Sequence, residues 1–99
     1  MGFIDQMKQL MEVKQKMEEA KTRLNAIEVD AENDYVKITA NGNRKIVKVT
    51  IKRSDDSLAL ESKLAEATNQ VLEKSDNIMQ AEMMSATKGM MPNGFPGLG

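Results

Sequence analysis

The chain contains no cysteine, no histidine and no tryptophan in its 99 residues. Without cysteine, neither a disulfide framework nor a thiolate metal site can form, and the composition suits a reducing compartment. Without histidine, the usual acid-base group at neutral pH and the commonest metal ligand are both missing. Aromatic residues are limited to Phe3, Tyr35 and Phe95, too few for stacking of successive bases along a single strand of nucleic acid. No apolar run approaches the roughly 20 residues of a membrane span. The opening MGFIDQMKQLMEVKQK also lacks the continuous apolar core of a cleavable signal peptide. No nucleophile-base pair, metal cluster or glycine-rich phosphate loop stands out. The expectation is a cytoplasmic protein that is not an enzyme and has no cofactor, no metal and no small-molecule substrate.

The net charge of -1 and the pI near 5.5 argue against a generally basic coat for DNA, whose pI would exceed about 9. The local distribution is less even. Glu28, Asp30, Glu32 and Asp34 precede Arg44, Lys45, Lys48, Lys52 and Arg53, so a basic stretch follows an acidic one.

From Phe3 to Ile27 the apolar residues recur every three or four positions, which predicts an amphipathic helix. Positions 3, 7, 10, 14, 17, 21 and 24 follow heptad spacing, with Lys14 and Lys21 interrupting the seam. The period then falls to two: Ile27, Val29 and Ala31, then Val36, Ile38 and Ala40, then Val47, Val49 and Ile51 predict three half-buried strands. Asn33-Asp34 and Asn41-Gly42-Asn43 supply residues that tolerate positive φ and suit tight hairpins. The cluster Ser54-Asp55-Asp56-Ser57 marks the start of a second helix, with a stripe running through Leu60, Leu64, Ala67, Val71, Leu72, Ser75, Ile78 and Met79 toward Lys88. An α+β fold follows: long helix, three-stranded antiparallel meander, long helix, forming one domain over residues 1–88 with a flexible Gly/Pro-rich tail at 89–99. Helices of this length must overhang short strands, and antiparallel pairing would bring the start of the first against the end of the second as a projecting arm. The methionines cluster at those two ends, where they would act as adaptable filler or as a contact surface.

With Asn33-Asp34 as a two-residue loop, Asp30 faces Lys37 and Val29 faces Ile38. With a second loop from Asn41 to Arg44, Ile38 meets Val47, Val36 meets Val49, and Lys37 meets Lys48. Lys37, Lys48 and Lys52 then read as the wet side of the sheet, whereas Arg44 and Lys45 have no acidic residue opposite and are the freer charges. On the first helix, Lys8 with Glu12, Glu12 with Lys16, and Glu19 with Arg23 could pair at i,i+4.

MKQLMEVKQKMEEAKTRL, VKITANG, VKVTIKRS before an acidic helix start, and the closing KGMMPNGFPGLG together resemble the YbaB/EbfC nucleoid-associated proteins of bacteria, in order and over nearly the whole chain. The resemblance implies a homodimer joined through the sheets, with helical arms projecting like tweezers. It also implies DNA binding in the nucleoid and a role in gene regulation or nucleoid organisation. The candidate dimer residues are Val36, Ile38, Val47, Val49 and Ile51. The candidate DNA contacts, made mainly to the phosphate backbone of a duplex, are Lys14, Lys21, Arg23, Arg44 and Lys45. The alternative from a different class is a dimeric protein-interaction scaffold that uses Met-rich helical arms.

Overall fold

A computed structural model describes residues 2–87. The chain folds as α1 (Phe3–Ala26), β1 (Glu28–Glu32), β2 (Val36–Asn41), β3 (Ile46–Ile51) and α2 (Ser57–Thr87). The strands form an antiparallel sheet in the order β1-β2-β3. This is the expected α+β order of helix, meander and helix.

Both hairpins are displaced from the simplest register, each for a local reason. In the first, the Asn33 side-chain oxygen accepts the N–H groups of Tyr35 and Val36, and the Asn33 N–H donates to the Val36 carbonyl. That Asx turn moves the loop tip to Asp34-Tyr35. Ala31 therefore faces Ile38 and Glu32 faces Lys37, so the pairs Val29 with Ile38 and Asp30 with Lys37 do not form. In the second, Asn41 N–H donates to the Lys45 carbonyl, and Arg44 sits at φ 65°, as in a three-residue loop that ends in a left-handed residue. A bulge then leaves Ala40 opposite Ile46 and Thr39 opposite Lys48, with Val47 as the extra residue. Val49 faces Ile38, Ile51 faces Val36, and Lys37 faces Thr50 rather than Lys48. Beyond the bulge the slip is by two residues, so β3 keeps its apolar side on the same face there.

α2 lies across β1 and β2. Ala67 and Val71, one turn apart, are fully buried against Ala31, Val36, Ile38 and Ala40, with Leu60, Leu64 and Leu72 flanking them. The small Ala67 allows close approach of helix to sheet. Asp56 precedes the first helical residue and caps it: its carboxylate accepts the Ala59 N–H at 3.1 Å, satisfying one of the open donors of the first turn. α2 then runs past the sheet and packs antiparallel on the end of α1, where Ala20 and Leu24 are completely buried.

α1 meets α2 through its second half, at Ala20, Arg23 and Leu24. Arg23 meets Glu82, so the end of α2 lies beside the middle of α1 rather than at its start. Phe3 to Lys16 extend beyond the described end of α2, which contributes to a molecule 68 Å long. Met7, Met11 and Met17 are exposed rather than serving as filler between two helices. The 89–99 segment lies outside the described residues.

Candidate nucleic-acid interface

The loop from Asn41 to Arg44 joins all three layers. Gly42 N–H donates to the carbonyl oxygens of Leu24 at 2.9 Å and Ile27 at 3.0 Å. The Asn43 side-chain amide donates to the Lys21 carbonyl at 3.0 Å and also bonds Asn25. The carbonyls left open at the end of a helix thus find partners in the hairpin loop. On the other side, the buried Ser75 hydroxyl donates to the Asn41 carbonyl at 2.7 Å and accepts the Arg44 N–H at 2.9 Å. The loop fixes where α1 leaves the sheet and where its cations are carried.

The five candidate cations fall into two groups. Arg44 lies 3.5 Å from Asp76, and Arg23 is paired with Glu82. Strand register gave no hint of Asp76, because it lies on α2, and Arg44 is therefore not one of the freer charges. Arg23 also takes Glu82 across the helix pair in place of Glu19, four residues away. Lys14, Lys21 and Lys45 are exposed and have no carboxylate within 4.0 Å among the described residues. Lys8 and Lys16 also have no carboxylate within 4.0 Å among the described residues: the expected i,i+4 pairs with Glu12 do not form. They were missed because sequence spacing shows only that such pairs can reach one another.

Lys37 and Lys48, exposed on the sheet, likewise have no carboxylate within 4.0 Å among the described residues, whereas Lys52 and Arg53 are engaged. Lys52 bonds Glu32 at 2.8 Å and the Asn33 carbonyl at 2.7 Å, which holds the Glu32 carboxyl below its ordinary value. Lys52 is thus a tie between β1 and the end of β3 rather than one of the merely solvated lysines. Arg53 forms a fork to Asp55, with both bonds at 2.9 Å, and lies 4.3 Å from the centre of the Tyr35 ring. The fork lowers the Asp55 pKa to about 2 and raises that of Arg53. Among the described residues, ion pairs form at both ends of β3, within α2 and between the helices, while all four lysines of α1 stay open, as do Lys37, Lys45 and Lys48 on the meander.

The two free edges of the sheet also differ. On β1, Glu28, Asp30 and Glu32 are exposed, and the Lys74 ammonium covers the Asp30 carbonyl at 2.7 Å; charges of this kind discourage further pairing. On β3, Ile46, Val47, Val49 and Ile51 are 41 to 56% exposed. Val36 and Ile38, in contrast, are 0% and 1% exposed beneath α2, so the apolar surface open to a neighbour comes from β3. Ile46 joins it because the bulge at Val47 restores it to the face of Val49, a change that simple alternation does not signal.

No helix among the described residues is long and apolar enough to cross a membrane. Residues 1–90 match the model of the YbaB/EbfC DNA-binding family. A nucleoid-associated protein of Flavobacterium johnsoniae is 31% identical, over 99% of this chain and 95% of its own. One from Ruminiclostridium cellulolyticum is 33% identical, over 93% of this chain and 84% of its own. Another, from a Psychrobacter species, is 34% identical over 88% and 84% respectively. The match runs through both helices and the meander between them, and the chain belongs to the YbaB/EbfC DNA-binding family.

Proposed function

We propose that the chain acts as a homodimer that binds duplex DNA in the nucleoid mainly through the phosphate backbone, with a role in nucleoid organisation or gene regulation. Family membership supports DNA as the partner. The observation that carries the mode of contact is that all four lysines of α1, the helix that extends past the described end of α2, are exposed with no carboxylate within 4.0 Å among the described residues. Lys14, Lys21 and Lys45 are the leading phosphate contacts, since a phosphate does not have to displace a carboxylate from them. Arg23 and Arg44 are secondary contacts: exposed ion pairs contribute only about 0 to 1 kcal/mol, so DNA can compete with Glu82 and Asp76.

The dimer joins through β3. Its Ile46, Val47, Val49 and Ile51 are half-exposed on an uncapped edge, and burying each would contribute on the order of 1 kcal/mol. Two copies double every cationic patch, so modest charge per chain can give useful affinity. No helix-turn-helix or basic zipper is present among the described elements, which favours backbone and shape over base-edge recognition.

A salt titration of binding to several unrelated duplexes tests this. The expected result is similar affinity for all of them and a logarithmic salt slope that scales with the number of phosphates neutralised. No shift of DNA even at low salt, together with a stoichiometric protein partner, would replace it with a scaffold function.

A further inference from the structure

Phe3, Ile4, Met7, Leu10 and Met11 form an apolar stripe on the distal part of α1, and neither the fold nor phosphate contact uses them. They are 46 to 75% exposed. Their spacing of three and four places them along one side of the helix. This surface is separate from the β3 edge, because α1 meets the sheet through Leu24 and the hairpin loop at its other end. A helical overhang of this size also needs support, since isolated helices shorter than about 12 to 15 residues are marginal in water.

The path of the chain indicates what supplies that support. Arg23 and Glu82 are in contact, and α2 continues to Thr87. Five further residues in an antiparallel pair bring Thr87 level with Glu18. From there the stripe begins about 10 Å farther along α1 and ends about 22 Å away, at 1.5 Å per residue. Residues 88–99 leave from this point, and twelve residues can reach about 40 Å when extended. Their sequence after Lys88, GMMPNGFPGLG, has no charged side chain and contains Met90, Met91, Phe95 and Leu98. Pro92 and Pro96 lack N–H groups, which leaves two fewer donors to satisfy against an apolar surface.

We propose that residues 88–99 dock on the α1 stripe of their own chain, completing the arm beyond the end of α2. The occupant is intramolecular because attachment at Thr87 gives the segment an effective concentration in the millimolar range beside the stripe, an advantage that a second copy or a separate protein lacks. The lack of charged side chains after Lys88 matches a surface made of Phe, Ile, Leu and Met. This proposal does not depend on DNA binding, so either can fail alone.

The absence of cysteine allows a direct test with nitroxide labels at Lys8→Cys and Gly97→Cys in the full chain, positions that leave the apolar residues on both sides intact. A short, narrow distance distribution is expected. It should persist when labelled chain is mixed with excess unlabelled chain and should broaden on adding Phe95→Asp. Removing residues 88–99 should accelerate amide exchange in the distal half of α1 by about tenfold or more. A broad distribution insensitive to Phe95→Asp, or exchange unchanged by truncation, overturns the proposal. A short distance that disappears on dilution with unlabelled chain also overturns it and assigns the stripe to a second copy.

Discussion

Ser75 donates its hydroxyl proton to the carbonyl of Asn41 across 2.7 Å, in a position with no solvent exposure. The same oxygen accepts the Arg44 N–H, so one small side chain holds the loop that carries the left-handed Arg44. Ser75→Ala should destabilise the protein by about 1 to 2 kcal/mol, the lower part of the range for stranded buried groups. The cost stays low because Arg44 N–H keeps a second bond to the Asn41 carbonyl. Urea denaturation with an unchanged m-value would check this.

Gly42→Ala should cost more. An added Cβ would stand 2.8 Å from the Leu24 side chain and 2.9 Å from the Leu24 carbonyl oxygen. Leu24 is fully buried and cannot yield. A loss of about 1 to 3 kcal/mol is expected for such overpacking, measured as a lowered Tm and unfolding midpoint. Far-UV circular dichroism should stay helical, since the change affects the junction and not the helices themselves.

The Arg53 fork predicts a pH dependence. Asp55 titrates at about 2 in the folded protein against an ordinary 3.8, so folding favours its ionised form. The stabilisation is fully present above the ordinary value and is lost as pH falls through about 2. Arg53→Gln should return the Asp55 midpoint toward its ordinary value in an NMR titration and flatten that part of the acid stability curve. An Asp55 midpoint identical in the two proteins would contradict the assignment.

Val49→Glu should shift the protein toward monomer in sedimentation velocity at fixed concentration. The side chain is 48% exposed in the single chain, so the substitution leaves the internal core intact. A mutant sedimenting like the unsubstituted protein would overturn the proposed β3 interface.

Alanine substitution should separate the open cations from the paired ones. Lys14→Ala, Lys21→Ala and Lys45→Ala are each expected to weaken binding to every duplex and to reduce the salt slope by about 0.9 for each phosphate no longer neutralised. Arg44→Ala should have a smaller effect, because Asp76 already occupies that guanidinium. Equal reductions for Lys45→Ala and Arg44→Ala would show that DNA displaces Asp76 without appreciable cost.

The sequence by itself determined the order of elements, the apolar faces and the starts of the helices. Periodicity of three to four and of two is a direct consequence of helix and strand geometry, and Asp56 lies in a run of capping residues that can be read locally. It could not determine register. Asn33 and Asn41 each place a side-chain oxygen where a backbone group would otherwise act, and the bulge at Val47 depends on how the second turn meets its partner strand. The charges divide in the same way. Lys8, Lys14 and Lys16 are visible as lysines on a helix, but which cations remain open depended on Asp76 and Glu82 arriving from distant positions on α2. Only the tertiary structure brings such groups together, because the packing of α2, not the spacing of the chain, decides which carboxylates face which cations.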